Sequence, residues 1–235
     1  ALIKEIKHNE SLIKNVKTIY IGGGTPTSLP LRLLEDLLIA LHASVSIENV
    51  IEFSIESNPN DYTKELVFLL QKYQVNRVSI GVQTFNDGQL TFLGRTHNQK
   101  DISFAISLLR ENGFHNISVD LIFSLINQTV EELEEDIKKI LELDLPHISY
   151  YSLILEEKTK LMYLLDQNKI SMNSEDLEGV MYNKVRNTLT NNGYTHYEIS
   201  NFSRPGYESI HNKTYWLNLE YLGLGSGSHS LINNE

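Results

Sequence analysis

Ile19-Tyr20-Ile21-Gly22-Gly23-Gly24-Thr25-Pro26-Thr27 is the stretch on which the reading of this chain turns. A β-branched, apolar run that begins at Val16-Lys17-Thr18 feeds straight into three glycines. A buried strand ending in a loop bare of side chains leaves backbone N–H groups open to a ligand. Thr25 adds a hydroxyl, and Pro26 turns the chain away from an immediate helix. Apolar periodicity resumes at Leu31-Arg32-Leu33-Leu34-Glu35-Asp36-Leu37-Leu38, which predicts a helix over about 31–43 and hence one βα unit. A glycine triplet alone is equally compatible with a tight turn that holds no ligand.

Outward from this loop the same rhythm repeats. Strands are predicted at 49–56, 77–83, 117–123 and 147–155, separated by helices at about 64–73, 100–112 and 130–143. Residues 1–13 look like the tail of a helix. Five strands alternating with helices at intervals of roughly 30–40 residues argue for a parallel sheet or barrel. In such folds the site lies at the carboxyl ends of the strands. Those ends carry Gly22, Gly23, Gly24 and Thr25, then Glu56, Gln83 and Asp120, each closing an apolar run. One such residue is ordinarily a cap or turn former, whereas four at one end point to a polar site. After residue 156 the rhythm changes to helices at 159–167 and 175–191 and a strand-like 195–199. A loop at 201–207 and a glycine-rich segment at 221–230 follow, a tail expected to cover one end of the barrel. The expected division is therefore 1–156 and 157–235.

Composition narrows the function. The 235 residues carry a net charge of −10, which argues against general nucleic-acid binding. The hydrophobic fraction of 41% supports a sizeable core. No apolar run approaches the roughly 20 residues of a membrane span, and no secretory signal is visible, so a cytoplasmic location is expected. There is no cysteine, so neither a disulfide nor a thiolate metal site can form within this chain. The opening on Ala1 inside a helical pattern, and an end at Leu231-Ile232-Asn233-Asn234-Glu235 that closes no pattern, suggest a fragment cut at both ends.

At these residues the sequence resembles a known family. Ile21-Gly22-Gly23-Gly24-Thr25-Pro26-Thr27 is similar to the GGGTP loop of radical S-adenosylmethionine (SAM) proteins of the oxygen-independent coproporphyrinogen oxidase group. Ser54-Ile55-Glu56-Ser57-Asn58-Pro59, Val78–Phe85, Leu93-Gly94-Arg95-Thr96-His97, Val119–Phe123 and Tyr197–Phe202 continue the likeness in order. His211-Asn212-Lys213-Thr214-Tyr215-Trp216 resembles the HNxxYW motif of the haem chaperone branch. The resemblance covers nearly the whole chain. It implies an α/β fold, an incomplete (β/α)6 partial barrel lacking its first βα unit and followed by a C-terminal α+β appendage. It implies SAM and a [4Fe–4S] cluster, with the three cluster cysteines expected upstream of Ala1 as CxxxCxxC.

Roles follow from the resemblance at matching positions. Gly22, Gly23, Gly24 and Thr25 would form the SAM loop, with Gly23 in backbone contact. Glu56 would accept the ribose hydroxyls, a use that suits an acceptor-only carboxylate facing a diol. Gln83, Arg95 and Asp120 would line the SAM region, and Ile154 would contribute backbone. Read from chemistry alone, Glu56 equally caps a turn and Arg95 is an ordinary surface cation, while Asp120 inside an apolar strand needs a partner. His97 and His147 read as structural. His211 offers an imidazole to haem iron, cysteine being absent, with Tyr215 and Trp216 as aromatic surface and Asn212 to orient the ring or a propionate. From chemistry alone these residues equally pack a loop onto the barrel. His196 and His229 are the next candidates. One departure stands out: the family's Gly-Leu-Pro is Ser124-Leu125-Ile126 here.

The implied function is a haem chaperone that passes haem to haem-dependent respiratory proteins, reaching a membrane only through those partners. The alternative is the dehydrogenase that decarboxylates two propionates of coproporphyrinogen III. A third class, unrelated, is a barrel enzyme using the glycine loop for phosphate. No catalytic residue is assigned within this chain.

Overall fold

The computed structural model describes residues 1–233. Asn234 and Glu235, the last two residues of the expected extension, lie outside the described residues. The elements in chain order are α1 (Leu2–His8), α2 (Glu10–Ile13), β1 (Thr18–Ile21), α3 (Leu31–Ser44), β2 (Glu52–Ser57), α4 (Lys64–Lys72) and β3 (Arg77–Gln83). Then come α5 (Asp87–Phe92), α6 (Gln99–Glu111), β4 (Ile117–Phe123), α7 (Val130–Glu142) and β5 (His147–Ser152). The chain continues through α8 (Lys160–Asp166), α9 (Glu175–Asn191), β6 (Thr195–His196), β7 (Asn201–Ser203) and α10 (Ile210–Trp216). The α/β class with mostly parallel strands is the one expected.

Contacts divide the chain into two compact units, each discontinuous in sequence. The first comprises Ala1–Ile80, Ala105–Ile117 and the C-terminal residues from Ser209. The second comprises Gly81–Phe104 and Ser118–Glu208. This division by contacts does not coincide with the one at residue 156 read from the change of rhythm.

In the first unit β1, β2 and the start of β3 run parallel, with Tyr20 beside Ser54 and Ser54 beside Arg77. Val78 N–H then donates to Asn116 C=O at 3.1 Å, at the entry to β4. Strand alternation sorts the side chains. Ile19, Phe53, Ile55, Val78 and Ile80 share one face and are buried. Leu34, Leu38, Leu66 and Leu70 of α3 and α4 are also buried in this unit's core. The other face bears Thr18, Tyr20, Glu52, Ser54, Glu56, Arg77 and Ser79, an unusually polar set for adjacent parallel strands.

The second unit pairs β4 with β5 in parallel, while β7 runs antiparallel to both β5 and β6. Helix α7 starts in a capping box: Thr129 Oγ1 accepts from Glu132 N–H at 3.3 Å, and Glu132 accepts from Thr129 N–H at 3.0 Å. Its buried stripe is Leu133, Asp136, Ile137 and Ile140.

Three local expectations are corrected. The N-terminal helix is broken at Asn9, whose side chain donates to Glu5 C=O at 2.9 Å and competes with helix continuation. The strand expected over 195–199 stops at His196, because Glu198 turns back to accept from Ser200 N–H and the Asn201 amide. Asn201-Phe202-Ser203, read as loop, is β7, fixed by pairing with β5 rather than by its own pattern.

Candidate functional site

In the first unit the glycine loop leaves β1 and lies against Glu56. Gly23 N–H donates to Glu56 Oε2 at 3.0 Å, and the Tyr20 hydroxyl donates to Oε1 at 2.7 Å. A Cβ on Gly22 would sit 2.7 Å from both the Glu56 carboxyl and the Tyr20 ring, so any side chain there would push these two groups out of place. Gly23 and Gly24 have φ of +83° and +137°, conformations that suit glycine, and a Cβ at either meets nothing within 4 Å. The loop is thus shaped by Gly22 and open at Gly23 and Gly24. Thr25 Oγ1 accepts from the Asn58 amide at 3.1 Å, and Thr27 donates to Asp61 at 2.5 Å, which pins the far side of the loop.

His211 belongs to the same unit. Its Nδ1 faces Thr18 Oγ1 at 2.8 Å and its Nε2 faces the Tyr215 hydroxyl at 2.8 Å. The ring stacks on Tyr20, with centroids 5.1 Å apart and planes inclined by 18°. Helix α10 is anchored by Glu52, which accepts from the Ser209 hydroxyl at 3.1 Å, Ile210 N–H at 2.8 Å and His211 N–H at 2.9 Å. A buried carboxylate at a helix N-terminus meets both unpaired N–H groups and the favourable end of the dipole. Burial pushes the His211 imidazole below its ordinary value; Glu52 opposes that shift and Arg77 adds to it. Both ring nitrogens of His211 are thus engaged by hydroxyl groups in this arrangement. The outer side of α10 and the residues after it expose Tyr215, Trp216, Leu217 and Leu219.

In the second unit, Gln83 ends β3 with φ +70°. The residues after it are held by Asp136, which accepts from the Thr84 hydroxyl at 2.6 Å and Phe85 N–H at 2.8 Å. Burial raises the Asp136 pKa, and these two hydrogen bonds pull it back. Arg95 is exposed, and His97, which follows it closely, is buried with Nε2 at 3.1 Å from Val82 C=O. Asp120 shares a strand face with Ser118 and, across the β4–β5 pair, with His147, Ser149 and Tyr151. Burial, and then Asp120, push the Tyr151 phenol up to about 12. His147 is fully buried between the Ser118 hydroxyl on Nδ1 and the Tyr197 hydroxyl on Nε2, both at 2.7 Å. Ile154 lies past β5 and is 77% exposed. His196 stacks on Phe202 at 4.5 Å and its Nε2 faces Ile199 C=O.

Gly22, Gly23 and Glu56 are therefore brought together, with His211 joined to them through Tyr20. Sequence reasoning missed Tyr20, Glu52 and Asp136. Asp136 had a signal, an acid inside the apolar stripe of α7. Tyr20 had a weaker one, its place two residues before the loop on the face opposite Ile19 and Ile21.

This arrangement places the chain among α/β proteins whose glycine loop and polar side chains gather at the carboxyl ends of parallel strands, the end at which such folds bind ligands. Residues 2–140 match the model of the Radical SAM superfamily, and the chain belongs to that superfamily. It is 45% identical over 232 residues to the protein named Heme chaperone HemW of Lactococcus lactis, covering 99% of this chain and 61% of that protein. It is 43% identical to the Bacillus subtilis protein of the same name, covering 93% of this chain and 58% of the relative. The chain thus spans about three fifths of the curated relatives' length. Among solved structures, the Escherichia coli radical SAM enzyme coproporphyrinogen III oxidase (HemN) matches with a TM-score of 0.76 and 25% identity. That match covers 94% of this chain and 51% of the enzyme.

Membership implies SAM and a [4Fe–4S] cluster. The first-unit residues fit SAM: the loop is bare where a ligand would approach, and each Glu56 oxygen takes one protein donor and keeps acceptor capacity. The residues of this chain do not fit the cluster, since it has no cysteine and no metal-binding group of three or more His, Asp or Glu among the described residues.

Proposed function

We propose that this chain carries the SAM-binding portion of a haem chaperone, which binds haem and hands it to haem-dependent respiratory proteins in the cytoplasm. The observation that carries this reading is α10. The HNxxYW stretch forms a helix whose inner residue, His211, is locked to β1 and to Tyr215, while Trp216, Leu217 and Leu219 are exposed at its end. An exposed aromatic and aliphatic surface of this kind offers a porphyrin face the apolar contact it seeks in water. The likeness to relatives named for haem delivery supports the same reading. Haem is assigned to this surface rather than to the His211 nitrogens, which Thr18 and Tyr215 occupy. Among the described residues no helix is long and apolar enough to cross a membrane.

At the glycine loop the chain's own part is binding and orientation. Gly23 and Gly24 present bare backbone, and Glu56 offers acceptors to a ribose diol. Gln83, Arg95, Asp120 and Ile154 are proposed to line the remainder of the SAM region. SAM, when bound, supplies the reductive cleavage chemistry of the superfamily.

The test is haem titration of the full-length, cluster-reconstituted protein followed by the Soret band, with coproporphyrinogen III consumption assayed in parallel. Trp216→Ala is expected to weaken haem binding about tenfold, as loss of a large buried aromatic contact would, and coproporphyrinogen III is expected to remain unconsumed. Unchanged haem affinity in Trp216→Ala would overturn the assigned surface, and turnover of coproporphyrinogen III would favour the dehydrogenase.

A further inference from the structure

We propose that Tyr20 is the positioning residue of the Glu56 carboxylate, and that His211 is the brace that holds Tyr20 in place. The proposal rests on the reading of Glu56 as the SAM ribose acceptor.

A carboxylate that must receive two hydroxyls needs both oxygens fixed in plane and in rotation. Glu56 is held at two points: Oε2 by Gly23 N–H and Oε1 by the Tyr20 hydroxyl. Each oxygen has about two acceptor directions, so one protein donor per oxygen sets the orientation and leaves the other direction for the ligand. The absence of a Cβ at Gly22 lets the three groups meet, because a methyl there would lie 2.7 Å from both the carboxyl and the phenol ring.

Tyr20 in turn is not free to swing. Its ring lies flat against the His211 imidazole. That imidazole is held at both ring nitrogens, by Thr18 on Nδ1 and Tyr215 on Nε2, and the backbone N–H of the same residue donates to Glu52. The register explains why these residues meet: Thr18 and Tyr20 are two apart on β1, and Glu52 and Glu56 are four apart on β2, all on one strand face. A site group held by a neighbour that is itself held is the arrangement precise recognition requires. The motif helix thus has a second use: its outer side is open, and its inner histidine sets the geometry of the glycine loop.

The experiment measures SAM affinity by calorimetry in the full-length, cluster-reconstituted protein, for Tyr20→Phe, Glu56→Ala and the double variant. Tyr20→Phe keeps the ring and its stacking and removes only the hydroxyl. It is expected to weaken SAM about tenfold, the loss of one hydrogen bond to a charged group. In the Glu56→Ala background the same change is expected to have no further effect, since Tyr20 acts only through that carboxylate. Thr18→Val, which frees one side of the imidazole, is expected to give a smaller loss that also vanishes with Glu56→Ala. Additive losses would overturn the proposal, because a general structural role would survive removal of the carboxylate. Unchanged SAM affinity in Glu56→Ala would instead remove the ribose reading, and this proposal with it.

Discussion

Each unit contains one imidazole clamped between two hydroxyls. In the first, Thr18 and Tyr215 hold His211; in the second, Ser118 and Tyr197 hold His147. Distances and atoms match: an aliphatic hydroxyl on Nδ1 and a phenol on Nε2. The surroundings do not. His147 is 0% exposed at the head of β5, whereas His211 is part-exposed on a helix whose phenol partner is 44% exposed. The same three groups therefore do different things. Where water is excluded, the imidazole is a fastener whose removal leaves a buried serine hydroxyl without the ring it bonds. Where water reaches, it is a brace that fixes a neighbour's position while contributing less to stability.

The comparison breaks most easily at His147. His147→Leu keeps the volume but removes the imidazole from the buried Ser118 hydroxyl. It is expected to cost about 2 kcal/mol, typical of one buried polar group that loses its hydrogen bond. Urea denaturation checks this, and a loss near that of an exposed site would erase the distinction between the two clamps.

His211→Gln tests the other side, with an expected loss of about 1 kcal/mol near neutral pH. Its sharper signature is pH dependence. Burial disfavours the charged imidazole in the folded state, so the unfolded chain takes up its proton first as pH falls. Stability should therefore decline on acidification from about pH 6.5, the ordinary histidine value, towards the lower folded value. His97, also lowered by burial, acts in the same direction. Melting curves between pH 7.5 and 5.5 should thus slope less steeply in His211→Gln than in the wild type, without becoming flat. Parallel slopes would mean that His211 binds its proton equally well in the folded and unfolded chain, which would contradict the effect of burial.

The smallest expected effect touches neither imidazole and asks whether backbone, rather than hydrogen bonding, limits the second unit. Ser124 follows β4 with φ +58°, and its buried hydroxyl has no hydrogen-bond partner among the described residues. Ser124→Gly should stabilise by about 0.5 kcal/mol, relief of the left-handed backbone outweighing the added freedom of the unfolded chain. A lower midpoint in urea would count against strain at this position.

The repeating βα rhythm and the α3 start at Leu31 were legible, because each rests on local periodicity. So was the meeting of the glycine loop with Glu56, through the order of motifs. The departure at Ser124 was visible as a letter, but its meaning required the backbone angle. The two clamps were not legible at all, since their members lie far apart: 193 residues separate Thr18 from His211. β7 was misread for a related reason, because a three-residue strand is defined by the partner it pairs with. Asp136 was passed over as one more acid on an acid-rich helix, although its place in the apolar stripe marked it as buried.

Glu52 also sets an order of events. The groups it holds at the start of α10 lie 157, 158 and 159 residues further along. At ribosomal speeds of about 5–20 residues per second, the strand waits roughly 8–30 s for its partner to be made. During that interval the carboxylate stays hydrated and the polar face of β1 and β2 stays unfinished. All of the second unit's sequence, ending at Glu208, is synthesised within the same interval, just before Ser209 appears. The β1–β2 pair, made before the second unit, is thus completed after it, when the helix that bears the histidine arrives.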